Sequence, residues 1–204
     1  MKTNLKFLTL GILFILCSGF RHEQKNFSDK IQSKNVKKSK SKIINFDLKK
    51  STCKWTGYGE LGGYSLTGTI NLKVGNFKLE NNNIKSGTII IDMNSINHSD
   101  HHLKVHLKDD DFFEVAKYPT ATFIIANSKN VANNIIEVSG NLTIKKVTKP
   151  IVIKMKQIQN HYCGTISINR TVFGVHYNSK SFFDNLGNQA IKDNLDLEFN
   201  LVGI

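Results

Sequence analysis

The sequence predicts an all-β domain, a closed up-and-down antiparallel barrel of about eight strands, behind an export signal and a basic leader. Three observations carry this. Apolar and polar residues alternate over several segments, turn-forming residues separate those segments, and the alternation leaves each strand one apolar face. A closed sheet buries that face and removes exposed edges. With 204 residues and only 2 prolines, the chain has room for one domain of ordinary size.

In chain order, the first element is an address. Lys2 and Lys6 precede an apolar run from Phe7 to Leu16, and the small Ser18 and Gly19 then give way to Arg21, His22 and Glu23. This is the three-part plan of a secretory signal, assigned to residues 1–19. The apolar run falls short of the roughly 20 residues that cross a bilayer, which weighs against an anchor. Cys17 offers a second route, as the lipid-modified first residue of a mature lipoprotein, although Leu16 before it is larger than the usual small residue. Export to the periplasm is expected on either route.

Residues 20–42 follow as a basic flexible leader. Lys25, Lys30, Lys34, Lys37, Lys38, Lys40 and Lys42 stand among Ser, Asn and Gln, with few apolar groups to offset the entropy of ordering. A sharper reading is a tether on anionic headgroups, each basic residue contributing about 1 kcal/mol near the surface. The formal charge of +12 is concentrated here: residues 21–50 carry ten basic against three acidic side chains, residues 51–204 sixteen against thirteen. The folded part is nearly neutral and carries no aromatic-basic stripe, so nucleic acid is not an expected partner.

The barrel is assigned to residues 43–204. Leu66, Gly68, Ile70, Leu72 and Val74 alternate with Ser65, Thr67, Thr69, Asn71 and Lys73, a strand with one wet face. The same alternation recurs from Ile136 to Ile144 and from Leu195 to Leu201. Ile43 to Lys49, Phe77 to Leu79, Ile84 to Met93, Thr120 to Ala126, Ile151 to Gln157 and Tyr162 to Ile168 are the further strands. Gly75-Asn76 and Asn81-Asn82-Asn83 supply residues tolerant of positive φ where the chain reverses. Two segments break the strand period. Ser99 to Phe113, with Leu103 and Leu107 four apart and Ser99 or Asp100 as N-cap, predicts a short helix. Asn178 to Asp193 is a second helix or a packed loop. Either is placed to close one end of the barrel. Cys53 and Cys163 are read as unpaired small apolar side chains in preference to a disulfide, since no tight spacing marks a framework.

The succession of motifs resembles the YceI-like polyisoprenoid-binding family. Trp55 is followed by Gly68 opening a regular strand, then by Gly87-Thr88-Ile89-Ile90-Ile91-Asp92-Met93 and His106-Leu107-Lys108-Asp109-Asp110-Asp111-Phe112-Phe113. Lys117-Tyr118-Pro119-Thr120-Ala121-Thr122-Phe123, Gly140-Asn141-Leu142-Thr143-Ile144, Val147-Thr148-Lys149-Pro150 and Ile168-Asn169-Arg170-Thr171-Val172-Phe173-Gly174 continue it in order to the C-terminus. One departure is Tyr64, where relatives often carry histidine.

The resemblance implies an exported, lipocalin-like eight-stranded barrel with one or two short helices, whose interior holds a long isoprenoid such as a quinone or polyprenyl phosphate. That ligand is the expected partner; no other cofactor is implied. Peripheral membrane contact through the leader and a homodimer are further expectations. Strand phase nominates Trp55, Leu66, Ile70, Phe77, Ile89, Ile91, Phe123, Ile125, Val138, Leu142, Ile153, Ile166, Phe173 and Phe199 as tunnel lining, each of which plain core packing would also explain. Arg170 and Lys117 are candidate partners for a phosphate headgroup, with an ion pair or carbonyl clamp as the competing role for Arg170.

Three other readings compete. The same alternation would also fill a small barrel with side chains, giving a protein that acts through its surface. His98, His101, His102 and His106 suggest a metal, because His102 and His106 would share a helix face, yet an exposed polar helix explains them as well. An enzyme is disfavoured. The sequence holds no Gly-x-Ser-x-Gly elbow, phosphate-cradling loop, His-Glu-x-x-His helix or dinucleotide fingerprint.

Overall fold

The computed structural model describes residues 40–204. The signal, Cys17 and nearly all of the leader therefore lie outside the described residues. Among the described residues there are nine strands: β1 (Ser41–Asn45), β2 (Thr52–Tyr58), β3 (Ser65–Glu80), β4 (Asn83–Asn97), β5 (Thr120–Ala132), β6 (Ile135–Ile144), β7 (Val147–Ile158), β8 (His161–Asn169) and β9 (Asn194–Val202). All pairings are antiparallel, and from β2 onward consecutive strands are neighbours. β2 pairs with β9 and closes the ring. β1 and β2 lie end to end against β3, at Asn76–Glu80 and Ser65–Ile70 respectively. They act as one stave broken at a turn where the Asp47 carboxylate accepts hydrogen bonds from the Lys49 and Lys50 amides. The wall is thus an eight-stave closed barrel, as the alternation predicts.

The hairpin after β3 turns at Asn81 and Asn82, with φ of 49° and 65°, the positive pair that a two-residue reversal requires. The expected reversal at Gly75-Asn76 does not occur. β3 runs straight through it, and the break in phase is instead a register shift between Leu72 and Val74. Lys73 and Val74 both face outward there, and Gly75 and Phe77 then resume the inward face. A bulge adds one residue to one strand and flips the phase beyond it. β2 was not among the expected strands, because its inward residues, Cys53, Trp55 and Gly57, are not aliphatic. β1 stops at Asn45, short of Lys49.

The helix is shorter than Ser99 to Phe113. α1 spans His101–His106, with the Asp100 carboxylate accepting from the His102 and Leu103 amides as N-cap. Tight turns follow, and they carry Leu107, Phe112 and Val115 into the core. The segment from Asn178 to Asp193 is a packed loop with one 3-10 turn at Gly187–Gln189. Both segments lie at the same end as the β2–β3 and β6–β7 connections, here termed the mouth. The opposite end is the floor. There Phe46, Phe77 and Tyr162 meet edge to face, with ring centroids 4.7, 5.1 and 5.9 Å apart.

Candidate functional site

Two apolar chambers run along the barrel axis. The larger, about 290 Å³, lies toward the mouth. The smaller, about 100 Å³, lies toward the floor. Cys53, Ile91, Leu142, Ile168 and Leu197 border both, so the two form one tunnel with a waist. Its walls exist because inward positions of adjacent strands meet as cross-strand pairs, with one member often small. Trp55 opposes Gly68 and Phe199 opposes Gly164. A Cβ on Gly68 would collide with the Trp55 indole, and one on Gly164 would sit 2.7 Å from the Lys154 carbonyl and 3.0 Å from the Phe199 ring. Glycine at these two points lets each aromatic ring lie against the wall and leaves the axis open.

The structure places the nominated residues as follows. Trp55, Leu66 and Ile70 line the mouth chamber. Phe77, Ile89, Phe123, Ile125, Ile153, Ile166 and Phe199 line the deeper one, and Ile91 and Leu142 the waist. Val138 and Phe173 line neither. Both are fully buried in solid packing, since strand phase tells which face a residue takes and not whether that face meets space. Residues that the alternation did not nominate complete the mouth chamber. Leu103, Leu107, Phe112 and Phe113 come from the α1 segment, Tyr58 from the end of β2, and Tyr64, Tyr177, Gln189 and Lys192 from the loops. For the four from the α1 segment the signal was the apolar content of Ser99 to Phe113, which broke the strand period.

The polar groups sit at the mouth. Arg170 borders the chamber with 3% exposure, but its fork is committed to carbonyls. Nε donates to the Lys192 carbonyl at 3.1 Å, Nη1 to Val175 at 2.8 Å and Nη2 to Ile191 at 3.2 Å. It is a clamp on the mouth loops, the competing role, rather than a free phosphate ligand. Lys117 is a plain correction. Its side chain is 65% exposed, pairs with Glu114 at 3.4 Å, and touches neither chamber. Lys192 borders the mouth chamber, with its ammonium 5.9 Å from the Tyr58 ring centroid. Tyr58 in turn donates to the Asp196 carboxylate at 2.6 Å. Tyr64, at the departure from the family pattern, lines the mouth with its ring packed over Gly59.

Within the wall, the Trp55 indole N–H is buried and has no hydrogen-bond partner among the described residues. The Cys53 thiol at the waist is pushed up to about 11 by burial. Cys53 and Cys163 are both free thiols. The histidines do not converge. His98 accepts from the Asp100 amide and His106 contacts Asp111. Among the described residues no three His, Cys, Asp or Glu side chains are placed to hold a metal.

A closed eight-stave antiparallel barrel with an apolar axial tunnel, sealed at the floor and polar only at the mouth, defines a lipocalin-like binding barrel. Residues 35–203 match the model of the YceI-like domain, and the chain belongs to that family. A UPF0312 protein of Vibrio cholerae is 29% identical over 126 residues, covering 55% of this chain and 67% of the relative. One of Shewanella denitrificans is 30% identical over 95 residues, 45% of this chain and 50% of its own length. Among solved structures, Burkholderia cenocepacia BcnA superposes with a TM-score of 0.65 at 21% identity, over 78% of this chain and 99% of its own. A polyisoprenoid-binding domain of Saccharophagus degradans superposes at 0.58 and 15% identity, over 78% and 97%. These superpositions are evidence of shared fold.

Proposed function

We propose that this protein is an exported, non-catalytic carrier that holds the apolar chain of an isoprenoid, or a comparable amphiphile, in the barrel with its head at the mouth. The observation that carries the reading is the tunnel itself: apolar along its length, closed by aromatics at the floor and lined by polar side chains only at the mouth. Such a site takes a ligand tail first. Each Å² of apolar surface withdrawn from water contributes about 25 cal/mol, so a chain of methyl-bearing units gains affinity without polar contacts. Membership of the YceI-like family and the Saccharophagus neighbour's ligand class support the same reading, and the signal-like residues 1–19 support export to the periplasm.

Mouth chemistry bears on the head group. With Arg170 turned onto carbonyls and Lys117 outside, Lys192 is, among the described residues, the one lysine bordering the chamber. A neutral, hydrogen-bonding head such as a quinone suits this mouth better than a polyprenyl phosphate, whose charge calls for several donors. The solid-barrel reading has against it a cavity near the lower end of the size range of ligand pockets, about 300 Å³.

Trp55 is the chain's single tryptophan and lines the mouth chamber, so its emission reports occupancy. Ala121 is buried in the same chamber, and Ala126 lies on the same strand with its side chain outward. Ala121→Phe should fill the space and weaken binding of a geranylated quinone at least about tenfold, with Ala126→Phe unchanged. Equal affinities for the two variants would exclude the tunnel as the binding site.

A further inference from the structure

The deeper chamber, about 100 Å³, is the narrower part of the tunnel, and its floor is shut. Below the deeper chamber, Phe46, Phe77 and Tyr162 leave the chain no straight path outward.

One seam in the wall differs from the others. β6 pairs with β7 from Ile135↔Lys156 to Ile144↔Val147, and β8 with β9 from His161↔Val202 to Asn169↔Asn194. β7 and β8 pair at only three positions, Lys156↔Cys163, Gln157↔Tyr162 and Ile158↔His161, all beside the floor. Above them, residues 147–155 and 164–169 are not paired across the seam, although at its lower end the Lys154 carbonyl still lies against Gly164. Pro150 stands in this stretch, and a residue without an N–H belongs at a sheet edge. At the mouth end the 3-10 turn Thr171–Phe173 lies against β7, so the unpaired stretch is a window framed at both ends. Its inner margins carry Ile151, Ile153, Ile166 and Ile168, which all line the deeper chamber. On the outer face Val152 is 55% exposed.

We propose that the β7–β8 seam is a lateral port through which the distal part of a long apolar chain leaves the deeper chamber. The port rests on the carrier reading above. Exit here breaks no strand pairing, whereas exit across the neighbouring β6–β7 or β8–β9 seams would part strands paired along their length, and exit through the floor would part the aromatic cluster. The isoleucines on both margins supply the apolar surface that a passing chain covers.

The test uses the full chain and two quinone probes, one geranyl and one octaprenyl, each with a diazirine at the far end of its tail. Binding is followed by Trp55 emission, and photolabelled residues are mapped by peptide mass spectrometry. The geranyl tail should label the tunnel interior around Phe77 and Ile153, and the octaprenyl tail the outer face of the seam around Val152 and Ser167. If both probes bind and the octaprenyl label falls inside the tunnel, or at Tyr64 and Lys192, the port is wrong and the carrier reading stands. If neither binds, the carrier reading fails and takes the port with it. A second variant, Lys154→Cys with Thr165→Cys in a Cys163→Ser background, staples the seam just above its last pairing. Oxidation should leave geranyl affinity unchanged and weaken octaprenyl binding about tenfold, reversed by reductant. Unchanged octaprenyl binding in the stapled form would overturn the port.

Discussion

Asp193 is the carboxylate from which the mouth loop hangs. Burial by itself would raise its pKa, but the Ser179 and Ser181 hydroxyls donate to it, and Arg170 and His176 add positive charge, so the net shift is below the ordinary 3.8. The sign follows from linkage: the folded state favours the charged form. The stabilisation is complete above the unfolded value and is lost as pH falls through the lower folded one. Asp47 and Glu114 are shifted the same way, by the Lys50 and Lys49 amides and by Lys145 respectively. Stability followed by circular dichroism should therefore be flat from above the carboxylate range to neutral pH and decline below that range. Asp193→Asn should make that decline shallower and cost about 1.5–3 kcal/mol at neutral pH, the scale of hydrogen bonds to a charged group. An unaltered acid limb in the variant would remove Asp193 from this role. At the same scale, twelve of the fourteen positions nominated from strand phase border the tunnel. Phase failed at Val138 and Phe173, which take the correct face where no space adjoins, and Arg170 was ambiguous because one guanidinium serves carbonyls and phosphates equally well.

At the scale of elements, the floor decides whether the barrel is a tunnel or a channel. Phe77 is fully buried at the centre of the aromatic cluster, in contact with both Phe46 and Tyr162. Phe77→Ala should cost about 3–5 kcal/mol, read as a fall in the denaturation midpoint. A cost below 1 kcal/mol, on the order of a surface change, would mean that the floor is not held by this cluster. The strands with aliphatic alternation were legible in the residues. β2 was not, since Cys, Trp and Gly on its inward face carry little strand signal. The bulge in β3 looked like a turn because both interrupt the period in the same way. The unpaired length of β7 and β8 was invisible for a related reason: alternation reports the faces of a strand, and pairing concerns its edges.

For the whole molecule, closure followed from the number of alternating segments and the short turns between them, since eight staves without a free edge satisfy both. Hollowness did not follow. A small barrel can be filled by side chains or leave room for one slim ligand, and the difference lies in a few contacts, such as glycine opposite Trp55 and Phe199, that no periodicity reveals. The central claim is that this space is occupied by a long apolar chain. The most direct measurement is native mass spectrometry of the exported full chain, before and after organic extraction, with the extract identified. The account predicts one isoprenoid-bearing molecule per barrel, lost on extraction and regained on adding an octaprenyl quinone. A single mass equal to the bare chain, unchanged by any added isoprenoid, would contradict it.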